Sequence, residues 1–261
     1  MNKFTIWPVT AGLIVWVAAG CSGGDAASGS GYKPKAAPQL SSAWLPADKQ
    51  DSYYPFQEGN QWVFDSQTTN RVNGRVQAST KEVVTYRIDK VSSVAGGTEA
   101  KFSVFSGSKL NNYEVWRVDK EKGIYLVSLG KDNLHPINPM QLMVPFPVKD
   151  HGPVEWSGDI TTDQGTIRHT KMTVSVHGEE QIDTEMGVYN AVGVASEGGF
   201  AMPNGSTKMS TKLWLVPNVG IGRYLIILSG DVKSTDPKLK GQSAKFDFVQ
   251  LMVLKNATLK K

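Results

Sequence analysis

The sequence predicts an all-β protein, mostly antiparallel and with very little helix, in which two related meanders form a sandwich or paired half-barrels. The first observation is the alternation of apolar and polar residues over short segments, as at Val84, Tyr86 and Ile88. A period of two is typical of strands with one buried face. The second is the presence of turn signals such as Asn73-Gly74 between these segments. The third is that no helical period persists over three turns in the first half of the chain.

The composition limits the class of protein. The chain has 261 residues, of which 40% are hydrophobic, so it can bury a sizeable core. Its formal net charge is +4, and acidic and basic residues are mixed along the chain. A nucleic-acid-binding protein normally carries a basic stripe. We therefore expect no nucleic-acid partner.

The first 20 residues are typical of a signal peptide. A single cation, Lys3, precedes a short apolar run from Phe4 to Ala19, and small residues lead into Cys21, the only cysteine. The run is too short to span a membrane stably, and the pattern indicates cleavage before Cys21. The alternative is an ordinary secretory signal that is cut near Gly20 and leaves Cys21 as a free thiol.

This segment resembles a bacterial lipoprotein signal with its lipobox. The resemblance implies a diacylglyceryl thioether and an acylated amine on Cys21, and several acyl chains on one residue anchor a protein durably to a membrane. The chain departs from the usual pattern at Ala18, where lipoboxes more often carry leucine. Ser22 follows the cysteine, and by resemblance to the enteric sorting rule it points to the outer membrane rather than the inner one. The expected partner is the membrane, through lipidated Cys21.

Residues 21–52 are predicted to be the acylated cysteine and a flexible tether. The segment is first rich in Gly, Ser and Ala and then carries Pro34, Pro38 and Pro46, a composition that cannot bury enough apolar area to offset its ordering entropy. About thirty flexible residues span on the order of 30 Å. Trp44 and Leu45 are the exception, and they either dock on the folded domain or enter the lipid interface.

Residues 53–136 are predicted to form the first meander. It opens at Tyr54-Pro55-Phe56, after which Trp62 and Phe64 share one face of a strand. Two further strand pairs follow, and their turn signals are Gly96-Gly97 and Glu121-Lys122-Gly123.

Residues 137–261 are predicted to form a second meander packed with the first. Its Val144-Pro145-Phe146-Pro147 segment followed by Trp156 echoes the opening of the first meander, which indicates a duplicated unit. Asn138 and Pro139 favour a single helical turn over residues 138–143. The last strand, from Phe246 to Leu254, is apolar on both sides and should lie between other strands.

An apolar cluster at the junction of the two meanders is a candidate ligand gate. Its residues are Met140, Leu142, Met143 and Phe146, and a mobile lid of this composition would cover an apolar site. The alternative is a buried crossover, since methionine often fills irregular gaps in a core.

A polar segment around residue 180 is a weak candidate for a metal site. On one strand, His177 and Glu179 would share a face, as would Asp183 and Glu185. A hairpin that joins them could hold a divalent cation, and such oxygen-rich ligands suit calcium better than zinc. The commoner explanation of this pattern is a hydrated hairpin tip, so we expect no metal and no other cofactor.

Sequence motifs for catalysis are missing. The chain has no G-x-S-x-G, H-E-x-x-H or C-x-x-C pattern and no glycine loop for phosphate. Carboxylates such as Asp159, Asp163 and Asp231 could form an acid-base pair only if the fold brought them together. We therefore expect a protein that is not an enzyme.

Three further motifs resemble those of a diffuse group of uncharacterised, β-rich bacterial envelope lipoproteins. The motifs are Tyr54-Pro55-Phe56 with Gly59 and Trp62, Gly187 to Val192, and Trp214 to Gly220. The group carries a Y-P-L-x-x-G-x-x-W opening and a W-x-x-P-x-x-G closing strand. The resemblance implies structural roles, with the glycines in turns and the tryptophans in the core, and it carries over no catalytic residue.

The function predicted from these observations is that of a membrane-anchored lipoprotein of the cell envelope with a noncatalytic binding or structural role. Its further partners would be envelope proteins or a lipid. One alternative is a periplasmic carrier or binder of a lipid or another apolar small molecule. A lesser alternative is an envelope hydrolase.

Overall fold

The computed structural model describes residues 41–149, 151–161, 163, 165, 167–202, 204–233 and 242–260. The signal peptide and the predicted lipidation site Cys21 lie outside these residues. Within them, one short 3₁₀ helix precedes twelve strands, and no helix has the length and hydropathy to cross a membrane. The elements are the 3₁₀ helix Ala47–Tyr53 and β1 (Gln61–Val72), β2 (Arg75–Val94), β3 (Gly97–Ser106), β4 (Lys109–Asp119), β5 (Gly123–Gly130), β6 (His135–Pro145), β7 (Val154–Thr161), β8 (Ile167–Thr184), β9 (Gly187–Met202), β10 (Gly205–Val216), β11 (Gly220–Lys233) and β12 (Ser243–Thr258).

The twelve strands form a single closed antiparallel barrel. Each strand pairs with its neighbours in sequence, and β12 pairs with β1, where Ser66 lies opposite Met252. The predicted all-β, antiparallel class with very little helix is confirmed, but the predicted sandwich or paired half-barrels are wrong. Alternating apolar residues produce one buried face in a sandwich and in a barrel alike, so the pattern could not reveal the long-range pairing that closes the sheet.

The predicted division at residues 136 and 137 falls inside β6. β6 pairs with β5, as at Ile124 and Val144, and both belong to the same barrel wall. The predicted helical turn at residues 138–143 is also wrong, because these residues lie in β6.

One end of the barrel is filled by the chain that precedes β1. We call this the near end, and residues 41–60 the plug. Ala43 and Tyr53 are fully buried, and the Tyr53 hydroxyl donates to the Ala43 carbonyl at 2.7 Å. Gln50, also buried, accepts from the Val148 amide at 2.9 Å. The predicted tether therefore extends too far, since residues 41–52 pack into the barrel.

The plug follows from the width of the barrel. Eight strands enclose a space that wall side chains can just fill, and the diameter grows with strand number. Twelve strands leave more room, and here an aromatic cluster uses it. The Tyr54 ring lies 5.2 Å from Trp62 and 5.6 Å from both Phe102 and Trp116, measured between ring centroids. Such pairs contribute about 0.5–1.5 kcal/mol each beyond area burial.

The resemblance motifs meet at this near end. The Trp62 Nε1 donates to the Val219 carbonyl at 2.5 Å, and the Asn218 amide donates to the Ser52 carbonyl at 2.9 Å. Gly220 has a φ of +107°, and a Cβ there would lie 2.9 Å from Trp62 Nε1. A glycine is needed at this position because only a residue without a Cβ allows both this positive φ and the close approach of Trp62.

The hairpin between β8 and β9 bends over the outside of the wall. We call its residues 178–192 the strap. A register shift between Val176 and Gly178, where Gly178 has a φ of +98°, reverses which side chains face outward. Ile182 is consequently buried on the outer surface of the wall, beside Ala191 and Val216.

Polar contacts secure the strap at both ends. Glu180 accepts from the Trp214 Nε1 at 2.8 Å and pairs with Lys212. Burial alone would raise the pKa of Glu180, but the hydrogen bonds from Lys212 and Trp214 outweigh it and lower that pKa. At the tip, the Glu185 amide donates to the Leu254 carbonyl of β12 at 3.1 Å. The strap thus reaches from its own strands to β12.

Candidate functional site: the barrel interior

A row of polar side chains lies inside the barrel at mid-height. Directly opposed residues of neighbouring strands share a face. The register places one such series side by side across six strands, in the order Thr80, Thr68, Gln250, Ile226, Thr211 and Ser196. We call its polar members the polar belt. They are Thr80, Thr68, Gln250, Thr211 and Ser196, and all but Thr80 are at most 4% exposed.

Several buried polar atoms in and beside the belt lack a hydrogen-bond partner. Gln250 donates to Ser66 Oγ at 3.0 Å, but within the described part of the chain its Oε1 has no partner. The same is true of Thr80 Oγ1 and, in the adjacent row, of the Tyr224 hydroxyl and Glu82 Oε1. A buried polar group that is left unpaired costs about 1–3 kcal/mol. These atoms leave hydrogen-bonding capacity in the interior that no described protein group uses.

A buried carboxyl, Glu114, adds to the polar character of the interior. It accepts from Trp116 Nε1 at 2.8 Å and from Asn112 Nδ2 at 3.2 Å. Burial raises the pKa of Glu114, and these two hydrogen bonds only partly oppose the shift. Burial, and then the charge of Glu114, raise the pKa of both Tyr86 and Tyr224.

The next row toward the opposite end, which we call the far end, is apolar. Register pairs link Phe248 to Leu228, Leu228 to Met209, and Met172 to Trp156. We call the row Phe248, Leu228, Met209, Met172 and Trp156 the apolar row. Two residues of strand separate it from the belt, or roughly 7 Å.

Some aromatic side chains of the far half are slightly more exposed than those of the near end. Phe248 and Phe246 keep 8% and 7% exposure, whereas Phe102 in the near end has 0%. Arg168 also faces inward there, with its guanidinium 4.9 Å from the centre of the Phe200 ring. Burial lowers the pKa of Arg168.

The structure places the predicted gate residues in the barrel wall. Leu142 and Met143 lie in β6 and Phe146 follows it; all three are buried, while Met140 is half-buried. The Met140 carbonyl accepts from Trp156 Nε1 at 2.9 Å. A gating role for these four residues stays a prediction.

The structure separates the predicted metal-site residues. His177 occupies the register shift, so Glu179 faces the plug and accepts from Ser42 Oγ at 3.0 Å. Glu185 lies 3.8 Å from Lys255 at the strap tip, and Asp183 is exposed within the strap. Among the residues that the structure describes, no three His, Cys, Asp or Glu side chains are placed to hold a metal ion.

Two of the three predicted acid-base carboxylates, Asp159 and Asp163, each face a histidine near the far end. Asp159 pairs with His169, and Asp163 lies 3.6 Å from His135 Nε2. The His169 side chain is 83% exposed, so water solvates this pair. Asp231 lies opposite Lys245, in the register of β11 and β12.

The belt was not predicted from the sequence, although a signal for it was present. Gln250 interrupts the apolar series Phe246, Phe248, Met252 and Leu254 at the same parity. A polar residue in such a series points into the core, and it should be treated as a candidate site residue.

Comparisons with known proteins identify no family. No protein-family model matches the chain, and no curated protein matches it. Among solved structures, the chain is similar to a candidate lipoprotein from Parabacteroides distasonis, with a TM-score of 0.47 and 15% identity over 79% of this chain and 98% of that one. It is also similar to a candidate exported protein with a YmcC-like fold from Bacteroides fragilis, with a TM-score of 0.39 and 16% identity over 79% of this chain and 98% of that one. A third similar structure is the hypothetical lipoprotein YmcC from Escherichia coli, with a TM-score of 0.33 and 12% identity over 71% of this chain and 85% of that one. Likenesses at this level carry no argument about function.

Proposed function

We propose that this protein is a lipid-anchored protein of the bacterial cell envelope with a noncatalytic binding or structural role. The barrel is held with its near end toward the membrane. The observation that carries this proposal is the plug, which fills the near end and whose first described residue, Ser41, lies there and accepts from Asn190 Nδ2 at 3.2 Å. A tether from lipidated Cys21 would therefore attach at that end.

The length of the tether supports this orientation. Twenty residues separate Cys21 from Ser41, and the tether that the sequence predicts would span roughly 25 Å at that length. The acyl chains would thus keep the near end close to the lipid surface while the far end points away from it. Ser22 after the cysteine favours the outer membrane over the inner membrane.

A noncatalytic role is supported by the chemistry of the described side chains. The two histidine–carboxylate pairs lie near the far end, and water solvates the exposed His169 ring. The buried carboxyl of Glu114 is held by Trp116 and Asn112, an arrangement that serves structure or binding.

Metabolic labelling tests the anchor. Cells that express the full chain are fed an alkyne-tagged fatty acid, and the protein is then partitioned between detergent and water. The wild-type chain and a Ser22→Ala control should carry the label and enter the detergent phase, whereas Cys21→Ser should do neither. An unlabelled wild-type chain, or a Cys21→Ser chain that still carries label, would overturn the proposal. Density separation of the two membranes tests the sorting to the outer one.

A further inference from the structure

The barrel wall has one seam with few backbone pairs, and it lies between β6 and β7. In the described part of the chain only two register pairs join these strands, Ile137 with Ile160 and Asn138 with Asp159. Every other neighbouring pair of strands has at least six. Over residues 141–145 the register of β6 continues with β5 alone. This half of β6 is therefore held in the wall from one side.

The sequence of β6 explains why the seam is poorly paired. The strand carries three prolines, Pro136, Pro139 and Pro145, and a proline has no N–H to donate to a neighbouring strand. Two register shifts also interrupt its pairing with β5, and such irregularities disturb the alternation of backbone groups along a strand. A regular ladder toward β7 is consequently lost after the first few residues of β6.

A tryptophan side chain bridges the seam where the ladder is missing. Trp156 of β7 is 7% exposed, and its Nε1 donates to the Met140 carbonyl of β6 at 2.9 Å. A Cβ added at Gly158 of β7 would lie 2.5 Å from Trp156 Cζ2. A larger residue at position 158 would displace the ring, so this glycine makes room for the contact between the two strands.

We propose that the barrel opens locally at the seam between β6 and β7 while the other strands stay paired, and that the Trp156 indole is the latch that holds the seam closed. The closed form dominates, because Val144 of β6 is 1% exposed. Regions with few backbone hydrogen bonds open at a lower free energy than the whole fold. The open form would uncover Leu142 and Met143, two residues of the predicted gate. This inference goes beyond the proposed function and does not depend on the anchor.

Thiol labelling measures the opening. The test uses the chain from Ser22, which holds the plug and all twelve strands and lacks Cys21, the only cysteine. Val144→Cys introduces a single thiol at the seam, and Val194→Cys is the matched control. Both valines are 1% exposed, but Val194 has register partners on both sides, in β8 and in β10. Labelling by N-ethylmaleimide is followed by intact mass spectrometry at increasing urea concentrations.

The two thiols should differ in rate and in urea dependence. Without urea, we expect Val144→Cys to be labelled at least about tenfold faster than Val194→Cys, because a local opening costs less than global unfolding. A local opening also exposes little surface, and the effect of urea scales with the surface exposed. Labelling of Val144→Cys should therefore respond weakly to urea, whereas Val194→Cys should follow global unfolding. Circular dichroism and urea unfolding curves confirm that each variant folds.

Two tryptophan variants in the Val144→Cys chain identify the latch. Trp156→Phe keeps an aromatic ring but loses the hydrogen bond to Met140, and it should speed labelling about fivefold. Trp62→Phe makes the same change at the near end, where the Trp62 ring contacts Tyr54 of the plug. Because this contact is outside the seam, the second variant should leave the labelling rate without urea unchanged.

Three results would overturn the inference. Equal labelling of Val144→Cys and Val194→Cys would mean that the seam opens only when the whole barrel unfolds. An unchanged rate in Trp156→Phe would show that the indole is not the latch. Equal acceleration by Trp62→Phe would assign the exposure of the thiol to release of the plug rather than to the seam.

Discussion

Replacing Ile182 by alanine tests whether the strap stabilises the barrel. Ile182 is 2% exposed although it lies on the outer side of the wall, and its Cδ1 would lie 2.6 Å from a Cβ built on Gly222. Truncation of a buried isoleucine to alanine costs about 2–5 kcal/mol through lost burial and the cavity left behind. Because the strap can relax on the surface, we expect a loss of about 2–3 kcal/mol in the free energy of unfolding.

Ile167 provides the matched control on the same strand. It is 57% exposed, so the packing lost in Ile167→Ala should lower the free energy of unfolding by no more than about 0.5 kcal/mol. Both variants lose the same intrinsic strand preference of isoleucine, so the difference between them isolates the burial of Ile182. Urea unfolding, followed by circular dichroism, measures both.

A strap that detaches alone would escape a global unfolding curve, so amide hydrogen exchange is measured alongside it. In Ile182→Ala, the amides of residues 178–192 should exchange faster than in Ile167→Ala. The reasoning is refuted if the two variants agree within about 0.5 kcal/mol and their strap amides exchange at the same rate.

Two further predictions concern the interior and the near end. Glu114→Gln should become more stable relative to wild type as pH rises above the ordinary value of 4.5, because a carboxyl with a raised pKa keeps its proton in the folded state while the unfolded chain loses it. The difference in unfolding free energy between the variant and the wild type can grow by at most about 1.4 kcal/mol per pH unit. Urea unfolding at several pH values measures this difference, and Glu197→Gln, at an exposed site, is the control. A difference that stays constant with pH contradicts the prediction. Gly220→Ala should lower the free energy of unfolding by about 2 kcal/mol or more, since it adds a clash with Trp62 to the cost of its φ of +107°. Gly74→Ala, with a φ of +76° and open space around its Cβ, should cost only about 1–2 kcal/mol, and equal losses would show that Trp62 does not constrain Gly220.

Local features of the strands could be predicted from the sequence. The alternation at Val84, Tyr86 and Ile88 correctly identifies inward-facing residues, all buried in the core. Gly59 and Gly220 were expected in turns, and both have positive φ. These features depend on neighbours in the chain, which a sequence shows directly.

The global arrangement could not be predicted, because it depends on partners that are distant in sequence. Composition marks residues 41–52 as a tether, but the width of a twelve-stranded barrel creates the space that Ala43 and Gln50 occupy. The predicted metal site assumed a regular strand through His177. The register shift there adds one residue to the strand, which moves every later side chain to the opposite face and separates His177 from Glu179. Trp214, which the resemblance placed in the core, lies on the outer wall with Glu180 because Leu213 and Leu215 of the same strand face inward.

The pairing of β1 with β12 has a consequence for how the chain folds. The first and last strands of the barrel meet, so closure must wait until residues 243–258 are available. Contacts so distant in sequence make folding slow. Until β12 is in place, β1 and β11 each present a row of unpaired backbone groups, which are templates for aggregation. A chain that ends before Ser243 would keep both open edges and would stay prone to aggregation through them.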